Sequence, residues 1–365
     1  MPARLRLHTL RGMLISVAVL VFFAVVALLA SSDAAVAASQ PKCGDTITAD
    51  TTLHHDLVNC PNNGIIIGAE DVTLDLNYHT IDGDGTEFAG CPENEFCDIG
   101  VLNDGHDDVT VVHGFVRQFA FGVVIVNARH NRVIDLTVSR SAGTGIILFK
   151  SSRNRLIRNS ARANGLQLDQ GGIALNRSHH NLVKRNALGG NGDLGLFMEK
   201  SDHNHIRKNR MRRNPEGGII AEGDGNVFSR NRIVRNGGGI LITKITKHGA
   251  VGNVVRRNYV RGSRGGGISV DNLPKRTLLS RNHVVGSGRD GIKIGGRTTK
   301  LVANRAVRND GDGIDVESRT TKLTRNRARR NADLGIEAVR GVIDGGGNKA
   351  SGNGDPRQCT NIACR

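Results

Sequence analysis

Four residues capable of acid–base chemistry lie in three successive repeats of about 22 residues: Asp271, Lys293, and the pair Asp315 and Glu317. Asp271 and Glu317 hold the same position in two repeats, and Gly295 holds it in the repeat between them. If each repeat is one rung of a stacked sheet, these two carboxyl groups would lie roughly 9.5 Å apart, twice the strand spacing. Carboxyl groups about 6.5–9.5 Å apart leave room for the water of an inverting glycoside hydrolysis. We therefore assign all four as candidate catalytic residues.

The same residues allow two other functions. A lyase or epimerase needs a base for the proton beside a carboxylate, and a cation or metal that neutralises this carboxylate. Lys293 could be the base if its pKa were lowered, which the nearby acids oppose. No metal ligands are assigned, although clustered acids could hold a Ca²⁺ ion. Without catalysis, the same charges would form a solvated, mutually paired surface. The substrate-binding candidates are Phe197, Glu199, Glu222, Lys244, Arg297 and Glu337.

A repeat running from Gly100 to Gly335 must position these side chains. Its mark is a glycine followed by an aliphatic residue, and most steps between marks are 21 to 24 residues, with one of 27 and one of 28. Short runs of period 2 at a fixed step near 22 are typical of stacked β-coils. Glycine and asparagine this dense would break helical repeats. The sequence therefore predicts an all-β, single-stranded parallel β-helix (β-solenoid) with coils of about 22 residues.

Strand alternation predicts which side chains face the interior. The first and third residues after each glycine are apolar and should point inward, and the second and fourth should point outward. The outward second positions form an apolar ridge at Ile147, Phe197, Ile220 and Leu241. Such a ridge is unusual on a water-facing strand, so it should be covered, contact another subunit or stack against sugar rings. Lys244 belongs to an insertion after one strand and could form a groove wall.

Asparagines recur once per coil and predict a ladder of turn residues. Asparagine tolerates a left-handed backbone, and its amide can bond the asparagines above and below. The column comprises Asn159, Asn186, Asn209, Asn231, Asn258, Asn282, Asn304 and Asn326.

These coils, together with Asp71-Val-Thr-Leu-Asp-Leu-Asn-Tyr-His-Thr-Ile-Asp-Gly83, resemble the right-handed parallel β-helix family with pectate-lyase-like coils. The resemblance covers about residues 43–355. It implies a right-handed coil and a polysaccharide lyase, epimerase or glycosidase. The Asp-Pro-His element of alginate epimerases is absent, as are the motif set of polygalacturonases and the aromatic motifs of pectate lyases. No catalytic set therefore carries over to this chain.

Four segments are expected along the chain. Residues 1–38 read as a signal peptide, with a basic start, an apolar run and a small-residue cleavage site. If uncleaved, the apolar run could anchor the chain in a membrane. Residues 39–99 should form a cap and the first irregular coils, residues 100–347 the regular coils, and residues 348–365 a partial coil and cap. We expect a secreted or extracellular protein, held at the cell surface if the apolar run is not cleaved.

Six cysteines cluster at the two ends of the mature chain: Cys43, Cys60, Cys91, Cys97, Cys359 and Cys364. Their number allows fifteen pairings, of which local pairing (Cys43 with Cys60, Cys91 with Cys97, Cys359 with Cys364) is the most economical. Disulfides at these places fit an oxidising compartment.

The formal net charge of +16 favours an acidic partner. In an exported protein this would be an acidic polysaccharide or another anionic cell-wall polymer, with solvated turn arginines as the alternative. A nucleic acid is disfavoured, because the chain has no tryptophan, only two tyrosines and no basic stripe interleaved with aromatic residues. The alternative to an enzyme is a non-catalytic β-solenoid that binds wall polymer or a protein partner.

Overall fold

A computed structural model describes residues 40–86, 88, 91, 97–167, 171–246, 248–271 and 273–365. The expected signal peptide, residues 1–38, lies outside these described residues. Within them, no helix has the length and apolar character that crossing a membrane requires. The described part of the chain contains strands and turns and no helix.

The chain winds as a right-handed parallel β-helix, as the repeat predicted. Each glycine–aliphatic pair lies at the start of a strand or within one. These strands pair in parallel into one sheet of thirteen, which we call the first sheet. Its strands are Asp45–Ile47, Ile65–Ile67, Ile99–Asp104, Phe121–Val126, Ile146–Phe149, Ile173–Asn176, Leu194–Glu199, Gly217–Ala221, Gly238–Ile242, Ile268–Val270, Ile292–Ile294, Ile314–Val316 and Ile336–Ala338.

Two further columns of parallel strands complete each coil. Thr110–Arg117 and Arg132–Ser139 are long and belong to both columns. The second sheet also contains Thr51–Thr52, Thr73–Asp75, Arg155–Ile157, Leu182–Lys184, His205–Arg207, Val227–Ser229, Val254–Arg256, Leu278–Ser280, Lys300–Val302, Lys322–Thr324 and Ile343–Asp344. The third sheet also contains Leu57–Cys60, Thr80–Gly83, Ser160–Arg162, Ala187–Gly189, Arg210–Arg212, Arg232–Val234, Tyr259–Arg261, His283–Val285, Arg305–Val307, Arg327–Arg329 and Lys349–Ser351.

The core is a column of aliphatic side chains along the axis. In the first sheet, the first and third residues after each glycine are buried, as strand alternation predicted; Ile146, Leu148, Leu196 and Met198 are fully inaccessible. In most three-residue strands of the second and third sheets only the middle residue is buried, as with Leu156. Its two neighbours face outward, which explains why so many of these strands begin or end in arginine.

Asparagine side chains form ladders inside the turns, and the predicted column is one of them. In each rung one amide oxygen accepts the backbone N–H of the asparagine in the preceding coil: Asn231 Oδ1 accepts from Asn209 N at 3.0 Å. Asn231 Nδ2 donates to the carbonyl of Ile206 at 2.9 Å and to Asn258 Oδ1 at 3.0 Å. Two more ladders, which the sequence reading missed, run through Asn131, Asn154, Asn181, Asn204, Asn226 and Asn253, and through Asn164, Asn191, Asn214 and Asn236.

The expectation that asparagine supplies the left-handed backbone is wrong. The left-handed residue is the one before each ladder asparagine, with φ of 58° at Lys208, 55° at Arg230 and 55° at Arg257. This places the asparagine amide inside the turn, where it can bond, and sends the preceding side chain outward. Most of these outward residues are basic, and Ala303, with φ 55°, shows that alanine is also accepted.

Close packing explains why glycine marks every coil. A Cβ on Gly313 would lie 2.5 Å from Asn331 Nδ2 and 2.5 Å from the carbonyl oxygen of Gly335, the marking glycine of the next coil. These distances are far inside normal contact, so a side chain would push apart a ladder asparagine and the neighbouring rung. The register signal in the sequence is therefore a packing requirement.

Local disulfides lie near both ends of the stack. The structure joins Cys43 to Cys60, Cys91 to Cys97, and Cys359 to Cys364. The first crosslinks the cap to the third sheet, and the last closes the segment after the final coil, where the strand Ile336–Ala338 forms a bridge with Cys359. These ends are where an uncovered coil would expose unpaired strand edges.

Asn231→Ala should lower the free energy of unfolding by about 2–3 kcal/mol, because it leaves a buried N–H of Asn209 and a carbonyl of Ile206 without partners. The measurement is the urea midpoint and slope. Arg230→Ala is the matched control, since it changes the adjacent outward residue and should shift stability by less than about 0.5 kcal/mol. Equal losses in the two variants would contradict a stabilising role for the ladder.

Candidate functional site

Strand pairing places the outward second positions of the first sheet in one column. Ile147 pairs with Ala174, and the column continues through Phe197, Ile220 and Leu241. It then passes through Ser269, Lys293, Asp315 and Glu337. The predicted apolar ridge and the predicted charged patch therefore lie on one face, end to end along the axis.

Lys293 connects two of the predicted catalytic carboxylates. Its Nζ lies 2.7 Å from Asp315 Oδ2 and 2.7 Å from Glu317 Oε1. Partial burial opposes the charge on Lys293, but the hydrogen bonds and negative charges of Asp315 and Glu317 outweigh it and raise the lysine pKa above its usual range. Lys293 is thus a protonated bridge. It can neutralise charge, but it is poorly suited to accept a proton.

Asp315 is the buried member of this group, with 8% of its surface exposed. Burial raises the pKa of its carboxyl group, Lys293 opposes that rise, and the charges of Asp290 and Glu317 add to it. The site therefore concentrates negative charge around a single ammonium group.

A second carboxyl pair was missed by the sequence reading. Asp312 is 6% exposed, and its Oδ1 accepts the backbone N–H of Leu334 at 2.8 Å. Burial first, and then a hydrogen bond to the exposed Glu337, raise the pKa of Asp312 to about 7. Because two carboxyl groups form a hydrogen bond only when one is protonated, this pair holds a proton near neutral pH. We call Asp290, Lys293, Asp312, Asp315, Glu317 and Glu337 the carboxyl cluster.

The pair of Asp312 and Glu337 could have been found from the residue that directly precedes the glycine of each repeat. Asp290 and Asp312 stand there in consecutive coils, where the coils before them have isoleucine, phenylalanine, threonine, leucine or glycine. Asp290 Oδ1 accepts the backbone N–H of Asp312 at 2.9 Å, so the two aspartates are in contact. The sequence reading considered only the outward positions after the glycine, and this column was not included.

Asp271 lies apart from the cluster. Its backbone N–H donates to the carbonyl of Ile242 at 3.1 Å, and its side chain is exposed. Among the described residues, no hydrogen bond or ion pair joins Asp271 to Lys293 or Glu317. Thus the structure brings together three of the four candidate catalytic residues.

The substrate-binding candidates are distributed along the chain. Phe197 is half-buried on the ridge, and Glu337 is in the cluster. Glu199 accepts a hydrogen bond from Asn176 Nδ2 at 3.0 Å, and it pairs with Lys200 at 3.3 Å. Arg297 is exposed at a turn, where its backbone N–H donates to the carbonyl of Pro274.

Glu222 is fully buried and holds the inserted segment. Its Oε1 accepts the backbone N–H of Thr246 at 2.6 Å, and Thr246 Oγ1 lies 2.9 Å from each carboxylate oxygen. His248, in the same segment, places Nε2 2.8 Å from Asp202 Oδ1. Lys244 is half-buried at the start of this segment. Glu222 therefore fixes a loop and presents no surface to a substrate.

The outward face of the first sheet is covered before the ridge begins and is open along the ridge. Leu102, Val124 and Val126 are buried in an outer apolar cluster, and the ring of Phe88 packs edge-on to Phe121 at 6.1 Å. Ile147, Phe197, Ile220 and Leu241 remain half-exposed. This open part leads directly to the carboxyl cluster.

A Ca²⁺ ion is not supported at the cluster. The ammonium group of Lys293 already occupies the space between Asp315 and Glu317, where a cation would bind. In the part of the chain that the structure describes, no group of three or more histidine, cysteine, aspartate or glutamate side chains has the geometry of a metal site.

A protein-family model described as periplasmic copper-binding protein (NosD) matches residues 77–253, slightly less than half of the chain. The described residues do not fit a copper ion. Cys43, Cys60, Cys91, Cys97, Cys359 and Cys364 are all in disulfides. His179 and His248 both face Asp202, while His180 stacks on His203, and these side chains do not form a ligand set. A comparison with curated protein sequences gives no significant match.

Several solved structures are similar in fold. DFA-IIIase from Arthrobacter chlorophenolicus A6, without its lid, has a TM-score of 0.52 and 14% identity over 66% of each chain, so this chain spans just under two thirds of it. The periplasmic alginate epimerase AlgG gives 0.48 and 12%, over 87% of this chain and 75% of that one. PfbA, a surface adhesin of Streptococcus pneumoniae, gives 0.47 and 10%, over 76% and 84%. At 14% identity the likeness to DFA-IIIase shows the fold alone.

Asp312→Asn should change how stability depends on pH. The folded pKa of about 7 lies above the unfolded value near 3.9, so the wild-type chain loses stability as the pH rises from about 4 to 7. The amide of asparagine can still accept from Leu334 and donate to Glu337, and it does not ionise. The melting temperature of the variant relative to that of the wild type should therefore be higher at pH 8 than at pH 4.5.

Asp310→Asn removes an equal charge at an exposed position two residues away and is the control. It should leave the pH dependence unchanged. If Asp312→Asn and the wild type lost stability in parallel between these pH values, Asp312 would not hold a proton in the folded chain.

Proposed function

We propose that this right-handed parallel β-helix protein is exported and acts on a polysaccharide at the carboxyl cluster, by glycoside hydrolysis. The observation that carries the proposal is a buried carboxyl group, Asp312, whose pKa burial and Glu337 raise to about 7, beside the carboxylates that Lys293 bridges. Three disulfides fit export to an oxidising compartment. The positive net charge of the whole chain favours an acidic polysaccharide as a binding partner, while the acidic cluster favours an uncharged part of a glycan as the part that is cleaved.

Hydrolysis of a glycosidic bond needs one carboxyl group that gives a proton and one that is ionised. Asp312 and Glu337 hold the proton as a pair, and Glu337 is the member that solvent and substrate can reach. The carboxylate of Glu317, paired with Lys293 and about half exposed, can act as base or nucleophile on the same face. Separating protonated and ionised carboxyl groups in this way assigns the acid and the base.

Elimination and epimerisation receive less support. Both need a base for the proton beside a uronate carboxylate, and a cation that neutralises this carboxylate. Lys293 is held protonated, and its charge is already neutralised by Asp315 and Glu317. A uronate carboxylate would therefore meet net negative charge at the cluster.

The open ridge supports sugar binding beside the cluster. Phe197, with Ile147, Ile220 and Leu241, forms a half-exposed apolar strip that ends where the charged residues begin. Sugar rings present apolar faces that pack against such side chains, and burying the strip would relieve its contact with water. A substrate chain on the ridge would have its next residue over the carboxyl cluster.

Asp312→Asn and Glu337→Gln should each lower the rate of polysaccharide hydrolysis by about 10²–10⁴-fold, the usual contribution of general acid catalysis. The assay measures reducing ends released from uronans and neutral glycans, with ultraviolet absorbance recorded in parallel to detect the double bond of an elimination product. Asp271→Asn is the comparison variant, because Asp271 has no described contact with the cluster and should retain activity.

Two outcomes would contradict this assignment. If Asp271→Asn lost activity and Asp312→Asn kept it, the catalytic carboxyl groups would instead be Asp271 and Glu317, which hold the same position two coils apart. A rise in ultraviolet absorbance in proportion to the new reducing ends would indicate elimination, because elimination also frees a reducing end but leaves a double bond on the other fragment. No turnover on a broad panel would favour the second candidate function, a non-catalytic solenoid that binds wall polymer through its basic surface.

A further inference from the structure

A cationic groove lies on the side of the coil formed by the second sheet and its turn, away from the carboxyl cluster. It encloses about 560 Å³. Seven of the eleven residues that line it are basic, and none is acidic: Lys184, Arg207, Lys208, Arg230, Arg256, Arg257 and Arg281. The remaining four are Ser229, Leu278, Ser280 and Val302. We call this feature the arginine groove.

The fold itself aligns these cations along the axis. One row consists of the last residues of second-sheet strands, because Lys184 pairs with Arg207, and Ser229 with Arg256. The other row consists of left-handed residues that precede ladder asparagines, which include Lys208. Successive coils are about 4.8 Å apart, so the left-handed row places a cation at each such interval through Lys208, Arg230, Arg257 and Arg281. The strand row adds Lys184, Arg207 and Arg256, with Ser229 between the last two. The groove is therefore a straight, periodic array of positive charge.

The charges in the groove are not neutralised by the protein. Among the described residues, no carboxylate forms an ion pair with any of the seven cations, whereas Arg117, Arg158 and Arg357 elsewhere each have an aspartate partner. Loss of solvent and the positive charges of Arg207, Arg185 and Lys208 lower the pKa of Lys184. Uncompensated positive charge in a concave surface focuses the field and attracts anions.

We propose that the arginine groove binds a linear acidic polysaccharide that lies parallel to the axis, with its carboxylate or sulfate groups against the guanidinium groups. Guanidinium pairs with such anions through two parallel hydrogen bonds, which makes arginine the preferred residue for this contact. A polymer with an anion on every sugar or every second sugar meets a new cation at each coil. The four uncharged lining residues leave room for the sugar rings.

A nucleic acid fits the groove less well. The phosphates of a duplex follow a helical path with one charge per about 1.7 Å of axis, whereas the groove presents straight rows repeating at about 4.8 Å. Single strands are usually held by base stacking on aromatic side chains, and no aromatic residue lines the groove.

This inference shares with the proposed function only the class of partner. The carboxyl cluster is on the first sheet and is acidic, and the arginine groove is on the second sheet and is basic. Changes in the arginine groove can therefore abolish binding while turnover on neutral glycans persists, and changes in the carboxyl cluster can abolish turnover while binding persists. Measuring affinity separately from product formation distinguishes failure of one from failure of the other.

The test is the affinity of labelled polygalacturonate and dextran sulfate for the full mature chain at about 0.15 M salt, measured by fluorescence anisotropy. The groove variant combines Lys208→Ala, Arg230→Ala and Arg257→Ala. The matched control combines Arg213→Ala, Arg235→Ala and Arg308→Ala, which occupy the left-handed position of another turn outside the groove. Both variants lose three positive charges, and natural alanines at Ala303 and Ala163 show that both turn positions accept the change.

The groove variant should bind at least about 10-fold more weakly than the wild type and show a shallower salt dependence, while the control should stay within about twofold. Unfolding midpoints of both variants should match the wild type. Equal losses in the two variants would overturn the inference, because binding would then follow net charge. Tighter binding of double-stranded DNA than of either polysaccharide, or equal binding of uncharged dextran, would overturn it as well.

Preference between the two probes identifies the anion. Tighter binding of polygalacturonate indicates a uronate partner, and tighter binding of dextran sulfate indicates a sulfated one. Either result supports the groove when the charge variants behave as described.

Discussion

The hydrogen bonding of the turns is the constraint on which the whole structure depends. A strand stacked in parallel makes its backbone hydrogen bonds with the strands of the coils above and below. In a tight turn, however, some N–H and C=O groups point into the interior and have no strand partner. Buried groups of this kind are costly without partners. The asparagine ladders satisfy them: Asn231 accepts one backbone N–H, donates to one carbonyl and bonds the next asparagine. The ladders thus allow three short strands per coil to close around a core of single aliphatic side chains.

One consequence of the ladders is the charge distribution. Because each ladder asparagine points inward, the residue before it takes the left-handed conformation and points outward, and there the sequence most often places arginine or lysine. On the first sheet the corresponding outward column changes from aliphatic to acidic along the axis. The same coil therefore presents a basic surface at one corner and an acidic, partly apolar surface on another side. A neutral sugar and an anionic polymer would be attracted to different sides of the molecule.

The fold could be read from the sequence because its signals repeat. The glycine marks, the alternating aliphatic residues and one asparagine column each recur in every coil, so their meaning did not depend on any single residue. The contact of Lys293 with Asp315 and Glu317 follows from the register alone. The pairing of Asp312 with Glu337 does not, because it involves a residue before the marking glycine and a side-chain direction that strand alternation does not specify. The burial of Glu222 was likewise unpredictable, since it depends on a loop from the following insertion that folds over an outward position.

Glu222 also shows how a solenoid can accept an insertion. Its carboxylate is enclosed only because Thr246 caps it with a backbone N–H and a hydroxyl. Shortening this coil to the usual length would leave the Glu222 carboxyl group without its hydrogen-bond donors from Thr246, and replacing the glutamate would release the loop. The inserted loop and Glu222 consequently form one structural unit, so transferring such a loop to another β-solenoid would require transferring this residue of the preceding coil as well.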